Sequence, residues 1–197
     1  VDKAGAKHAF LTAASPGVIS AFQPNTYYPT HEAYVEAIAE AMREEYEAIV
    51  SAGFILQIDC PDLAMARHTG FQDLTEPEFL ARAEHQVEAL NHALRNIPES
   101  QVRYHLCWGS WHGPHTHDLP FEHIVNLMLQ VKAQCYSFEA ANPRHGHEWT
   151  LFERVKLPDG KVLVVGGYTG EASTGATNVC ELYDPVSRTW TVASSLA

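Results

Sequence analysis

The stretch "YVEAIAEAMREEYEAIVSAGFILQIDC", residues 34–60, changes its period part-way along. Tyr34, Ile38, Met42, Tyr46 and Ile49 recur every three or four residues, which lines one side of a helix of about five turns with apolar groups. Gly53 can end that helix in a left-handed conformation, and "FILQIDC" (54–60) continues as a short apolar run of strand length. A long helix feeding straight into a short buried strand is the repeating step of a β/α fold.

The same alternation extends in both directions. Strand-like runs occur at "AFLTAAS" (9–15), "VRYHLCW" (102–108) and "CYSFEAA" (135–141), each followed by a polar loop containing Pro or Gly. In "LTEPEF" Thr75 and Glu78 have the spacing of a capping box, and Phe79, Ala83, Val87, Leu90 and Leu94 then form the buried stripe of a second helix ending before Pro98. A third helix is predicted from about Pro120 to Lys132, capped by Asp118 or a neighbour and apolar through Ile124, Leu127, Met128 and Val131. The expected class is α/β, with four strands joined by three crossovers in residues 1–156.

From residue 157 the texture changes. "LPDGKVLVVGGYTG" and the segment after it are glycine-rich and alternating, without a helical period. Gly166 and Gly167 permit a sharp exit from the strand "KVLVV", and Asp184 and Pro185 start a turn that places Tyr183 and Trp190 on adjoining strands. Residues 157–197 are therefore expected to form a separate, short antiparallel β module.

With 46% hydrophobic and 19% charged residues the chain has the composition of a globular protein, and its net charge of -11 disfavours nucleic acid and anionic membranes as partners. No apolar run reaches the roughly 20 residues of a membrane span, and the first residues do not read as a signal peptide. A cytoplasmic protein acting on a small molecule is expected. Cys60, Cys107, Cys135 and Cys180 are widely spaced, so thiols are expected rather than disulfides.

Seven of twelve histidines fall between His105 and His147. His105 and Cys107, two apart on one strand, point to the same face, as two ligands of one metal must. Glu139 lies on the next strand, 32 residues after Cys107, and neighbouring parallel strands could bring all three groups to one end of the sheet. Imidazole, thiolate and carboxylate together form a donor set suited to Zn²⁺. In "HGPHTH" (112–117) the histidines read as loop-shaping or outer groups, and the alternative for His105 and Cys107 is a packing histidine beside a buried cysteine.

Together, "LQIDCPD", "NHAL", "VRYHLCWGSWHGPHTHDLP" and "FEAANPRHGHEW" resemble the cobalamin-independent methionine synthase family, over about residues 9–163. The resemblance implies part of a (β/α)₈ barrel, about four of its units, and a catalytic zinc held by His105, Cys107 and Glu139. It also implies that Asp59 anchors the amino group of a homocysteine-like thiol. A methyl group would pass to that thiol from a methyltetrahydrofolate-type donor, with His112 or His145 supplying a proton to the leaving group. Arg144 and His147 are expected beside the site. The family's cysteine ligand on the last barrel strand has no match here, and a sheet left open would call for a second copy as cover.

The tail, through Gly166, Gly167, Tyr183 and Trp190, resembles a single kelch repeat of a β-propeller. One repeat cannot close a propeller, so a strand-rich appendage and a junction of two unrelated coding segments near "LPDGKVL" are expected. Two other readings remain open from the sequence: a non-catalytic interaction module, or a different reaction of the broader barrel group.

Overall fold

Residues 8–109, 114–139, 144–166, 180–184, 187 and 189–193 are described by a computed structural model. Each expected strand forms, trimmed to five residues: β1 (Phe10–Ala14), β2 (Ile55–Asp59), β3 (Val102–Leu106) and β4 (Cys135–Glu139). They lie side by side in chain order, and every neighbouring pair is parallel. Parallel neighbours cannot be joined by a tight turn, so helices span the gaps. The chain passes from β1 to β2 through α1 (Pro16–Phe22) and α2 (His31–Ser51), and from β2 to β3 through α3 (Ala66–Thr69) and α4 (Glu76–Ala93). It reaches β4 through α5 (Phe121–Met128).

One strand more belongs to this parallel set than the sequence pattern suggests. The run "KVLVV", expected to begin a hairpin module, forms β5 (Val162–Gly166) and pairs in parallel with β4, from Cys135 opposite Val162 to Glu139 opposite Gly166. The backbone steers it there: Val162 N–H donates to the Gln134 carbonyl at 2.9 Å, and the Gln134 side chain donates to the Gly160 carbonyl. Alternation reveals a strand but not its neighbour. On the far side of β5 lie β6 (Cys180–Asp184) and β7 (Thr189–Ala193), each antiparallel to the strand before it, with Tyr183 opposite Trp190. Gly167 and Pro185 lie outside the described residues.

Local signals in the helices are mostly obeyed. Gly53 follows α2 with a positive φ of 86°, and the Thr30 hydroxyl accepts the Ala33 N–H at its start. Glu78 accepts the Thr75 N–H at 2.8 Å, completing the expected capping box. Of the five residues expected on the buried stripe of the second helix, Phe79, Ala83, Val87 and Leu90 are buried on α4 and Leu94 is buried at its C-cap. On α2 the buried stripe runs through Val35, Ala39, Tyr46 and Ile49, with Tyr34 and Ile38 at its margin. The third helix differs at both ends. It stops at Met128, and its first N–H, from Phe121, donates at 2.8 Å to the carboxylate of Glu148, while Asp118 bonds elsewhere.

The two faces of the sheet are unlike. Leu56, Ile58, Val102, Tyr104, Leu106, Tyr136, Phe138 and Leu163 alternate onto the face packed by the helices and are buried. Each such large side chain contributes roughly 1.5–3 kcal/mol on leaving water. Tyr46 reaches in from α2, and its hydroxyl donates to the Ala14 carbonyl at 2.5 Å. The opposite face presents Thr12, Gln57, Asp59, Arg103, His105, Cys107 and Glu139, all partly or fully exposed.

Candidate functional site

Parallel pairing makes rows, because residues in register on neighbouring strands point the same way. Asp59 is in register with His105, and His105 with Ser137, so one row crosses β2, β3 and β4. Cys107 and Glu139 each lie two residues further toward the carboxyl ends, on the same open face. With strands about 4.8 Å apart, the four sequence-predicted groups occupy neighbouring positions at one corner of the sheet. Glu139 shares the sheet face of His105 and Cys107.

Their electrostatics agree with this proximity. Burial pushes the His105 imidazole below its ordinary value against the opposing pull of the Asp59 and Glu139 carboxylates, so the ring is neutral near pH 7. The Cys107 thiol is raised, first by burial and then by the same two carboxylates, with the Gly109 amide opposing. Gly109 turns the chain away just beyond, at a φ of 88°, where a Cβ would stand 3.1 Å from the Met65 side chain. Gln57 donates to the Asp59 carboxylate at 3.1 Å. His105, Cys107 and Glu139 do not bring their donor atoms within 4.8 Å of one another. Closing this set on an ion therefore needs side-chain rotation.

A second polar cluster lies among the loops that follow the strands. Trp108, next to Cys107, is fully buried, and the His145 ring stacks on it at 4.0 Å and 13°. His145 Nε2 is 2.9 Å from Asp118 Oδ2 and Nδ1 is 2.9 Å from Glu148 Oε2. Burial opposes a charge on His145, but the two carboxylates outweigh it and raise the imidazole to about 9. Asp118 is correspondingly held low: burial would raise it, and the bonds from His145 and His115 more than compensate. His115 Nδ1 lies 2.8 Å from Asp118 Oδ2, and its ring stacks on that of His68 at 3.9 Å. His68 Nε2 is 3.0 Å from the Trp108 carbonyl and 4.0 Å from Asp118 Oδ1. Among the described residues, His68, His115 and Asp118 are the group whose donor atoms all lie within 4.8 Å of one another, a spacing that could hold a metal ion.

Sequence reasoning did not single out His68, took His115 for a loop-shaping residue and took Asp118 for a helix cap. A signal was present in "HTHD" (115–118) and "HGHE" (145–148), which place a histidine three residues before a carboxylate in two successive loops. Both pairs form, at 2.8 and 2.9 Å. His145 thus has both ring nitrogens on carboxylates, His147 is exposed beside it, and Arg144 and His147 line the same shallow cleft as Asp118 and His145. His112 lies outside the described residues. Asp59 borders a separate cleft of about 440 Å³ with Thr12, Ala14, Val18 and Phe22. No helix of the described residues is long and apolar enough to cross a membrane.

Comparison with known families finds the kelch motif over residues 158–197. No curated protein matches the chain. The matched segment includes β5, so the strand that completes the parallel set and the start of the kelch motif are the same residues.

Proposed function

We propose that the chain is a zinc-dependent methyltransferase-like protein of the cobalamin-independent methionine synthase type, its α/β portion corresponding to part of a (β/α)₈ barrel and its activity impaired for want of the fourth zinc ligand and of half the barrel. A small thiol of homocysteine type is the acceptor and a methyltetrahydrofolate-type molecule the donor. The observation that carries this reading is the row of Asp59 and His105 with Cys107 and Glu139 beside it, at the carboxyl ends of neighbouring parallel strands.

The donor set fits zinc chemically: a neutral imidazole, a thiol and a carboxylate. Bound there, the ion would deprotonate an incoming thiol and keep it nucleophilic. His105 and Cys107 would hold it from one strand and Glu139 from the next. Asp59, aligned with His105, offers a carboxylate to the acceptor's ammonium group. Cys107 is partly buried, which limits the water around its thiol. His145, charged and fixed between Asp118 and Glu148, ties residues that follow β3 to residues that follow β4.

Cobalt substitution tests the reading. Co²⁺ added to the purified chain should give a thiolate charge-transfer band that disappears in Cys107→Ser and strengthens when homocysteine is added. A spectrum without that band in the unmodified chain would reject it.

The kelch match favours a second reading, in which β5 to β7 form an interaction edge rather than part of an enzyme. Removing residues 180–197 separates the two. If the cobalt spectrum survives and a binding partner is lost, the tail serves recognition.

A further inference from the structure

We propose that His68, His115 and Asp118 form a second metal site, taking a divalent transition ion of the zinc and cobalt class, distinct from the cysteine-containing corner of the sheet.

Three observations converge on it. The donor atoms lie within 4.8 Å of one another although they come from two separate segments, His68 from α3 and the others from the chain after β3. All three side chains are removed from water, with 4%, 0% and 10% of their surface exposed for His68, His115 and Asp118. The two oxygens of Asp118 are also used unequally. Oδ2 takes bonds from His115 and His145, whereas Oδ1 is buried and has no hydrogen-bond partner among the described residues.

A buried carboxylate oxygen without a partner costs about 1–3 kcal/mol or more, so such an atom calls for an occupant. Oδ1 faces His68 Nε2 at 4.0 Å. That separation is too long for a hydrogen bond, and one ion with two bonds of about 2 Å would span it once Nε2 gives up its bond to the Trp108 carbonyl. Two imidazoles and one carboxylate select borderline ions over Mg²⁺ or Ca²⁺, which prefer all-oxygen shells. The outer shell is present as well. His145 grips Asp118 Oδ2 and is gripped in turn by Glu148, the kind of partner that orients a ligating carboxylate. Such an ion would pin the loop after β2 to the loop after β3 and, through His145, to the loop after β4.

The test uses the full chain carrying Cys107→Ser, so that no thiolate contributes and failure of the site proposed above cannot be mistaken for failure of this one. Titration with Co²⁺ should show one tight equivalent with visible bands and no thiolate charge transfer. Asp118→Asn should weaken binding by at least about 100-fold, since changes in outer partners alone cost about 10–100-fold. Absence of tight binding, or binding of the same strength after Asp118→Asn, overturns the proposal, because surface histidines alone would behave that way. If Asp118→Asn fails to fold by circular dichroism, X-ray absorption of the cobalt-loaded Cys107→Ser chain decides. Outer scattering from two imidazoles is expected; fewer than two overturns it.

Discussion

The same strands carry two different surfaces. On the helix-covered face, Leu56, Ile58, Tyr104, Leu106 and Phe138 alternate inward and are essentially sealed. On the other, the intervening Gln57, Asp59, Arg103, His105 and Glu139 remain partly open. Burial explains every residue of the first set and none of the second. Half-shielded ionisable groups aligned across strands gain little for stability, and the zinc chemistry proposed above would account for their presence.

The contrast can be broken by substitution. Phe138 has 1% exposure and packs on Phe121 and Phe152 at ring distances of 4.8 and 5.8 Å, so Phe138→Ala should cost about 3–5 kcal/mol in urea unfolding. A loss under about 1 kcal/mol would mean that the aromatic layer is not a true core.

An intermediate effect is expected in the loop cluster, where polar groups are buried but paired. His145→Gln should cost about 1.5–3 kcal/mol near pH 6.5, the scale of hydrogen bonds to charged groups. Because the folded imidazole sits near 9, above its ordinary 6.5, its contribution is complete below pH 6.5 and lost as pH rises through about 9. The difference between the parent chain and His145→Gln should therefore shrink across that window in pH-dependent melting. Asp118 acts at the acid end: held below its ordinary 3.8, it contributes above that pH and loses its effect as pH falls through the depressed value.

The smallest effect belongs to the open face. His105→Ala should change stability by less than about 1 kcal/mol while abolishing the cobalt charge-transfer band. A large loss of stability there would reassign His105 to packing.

How far the sequence spoke for itself follows the range of each interaction. The buried residues of α4 and the Thr75–Glu78 cap are local, and their spacing announces them. That His105, Cys107 and Glu139 share a face was legible because strand alternation fixes a face and crossover length brings neighbouring strands together, whereas Asp59 came from the family resemblance alone. Other contacts join residues far apart in the chain, and no periodicity encodes them. Glu148 caps a helix 27 residues before it, which releases Asp118 for His145 and His115. Likewise, "KVLVV" shows that it is a strand, but its place beside β4 depends on the Gln134 and Gly160 turn that receives it.

The indole of Trp108, stacked flat on the His145 ring, gives the molecule an optical sensor of its own. A protonated imidazole quenches tryptophan emission by accepting an electron from the excited ring, whereas the neutral form quenches far less. The fluorescence removed by Trp108→Phe should thus brighten in mildly alkaline solution. It would also respond to anything that pulls Asp118 away, so ion capture in the loops can be watched without an added dye.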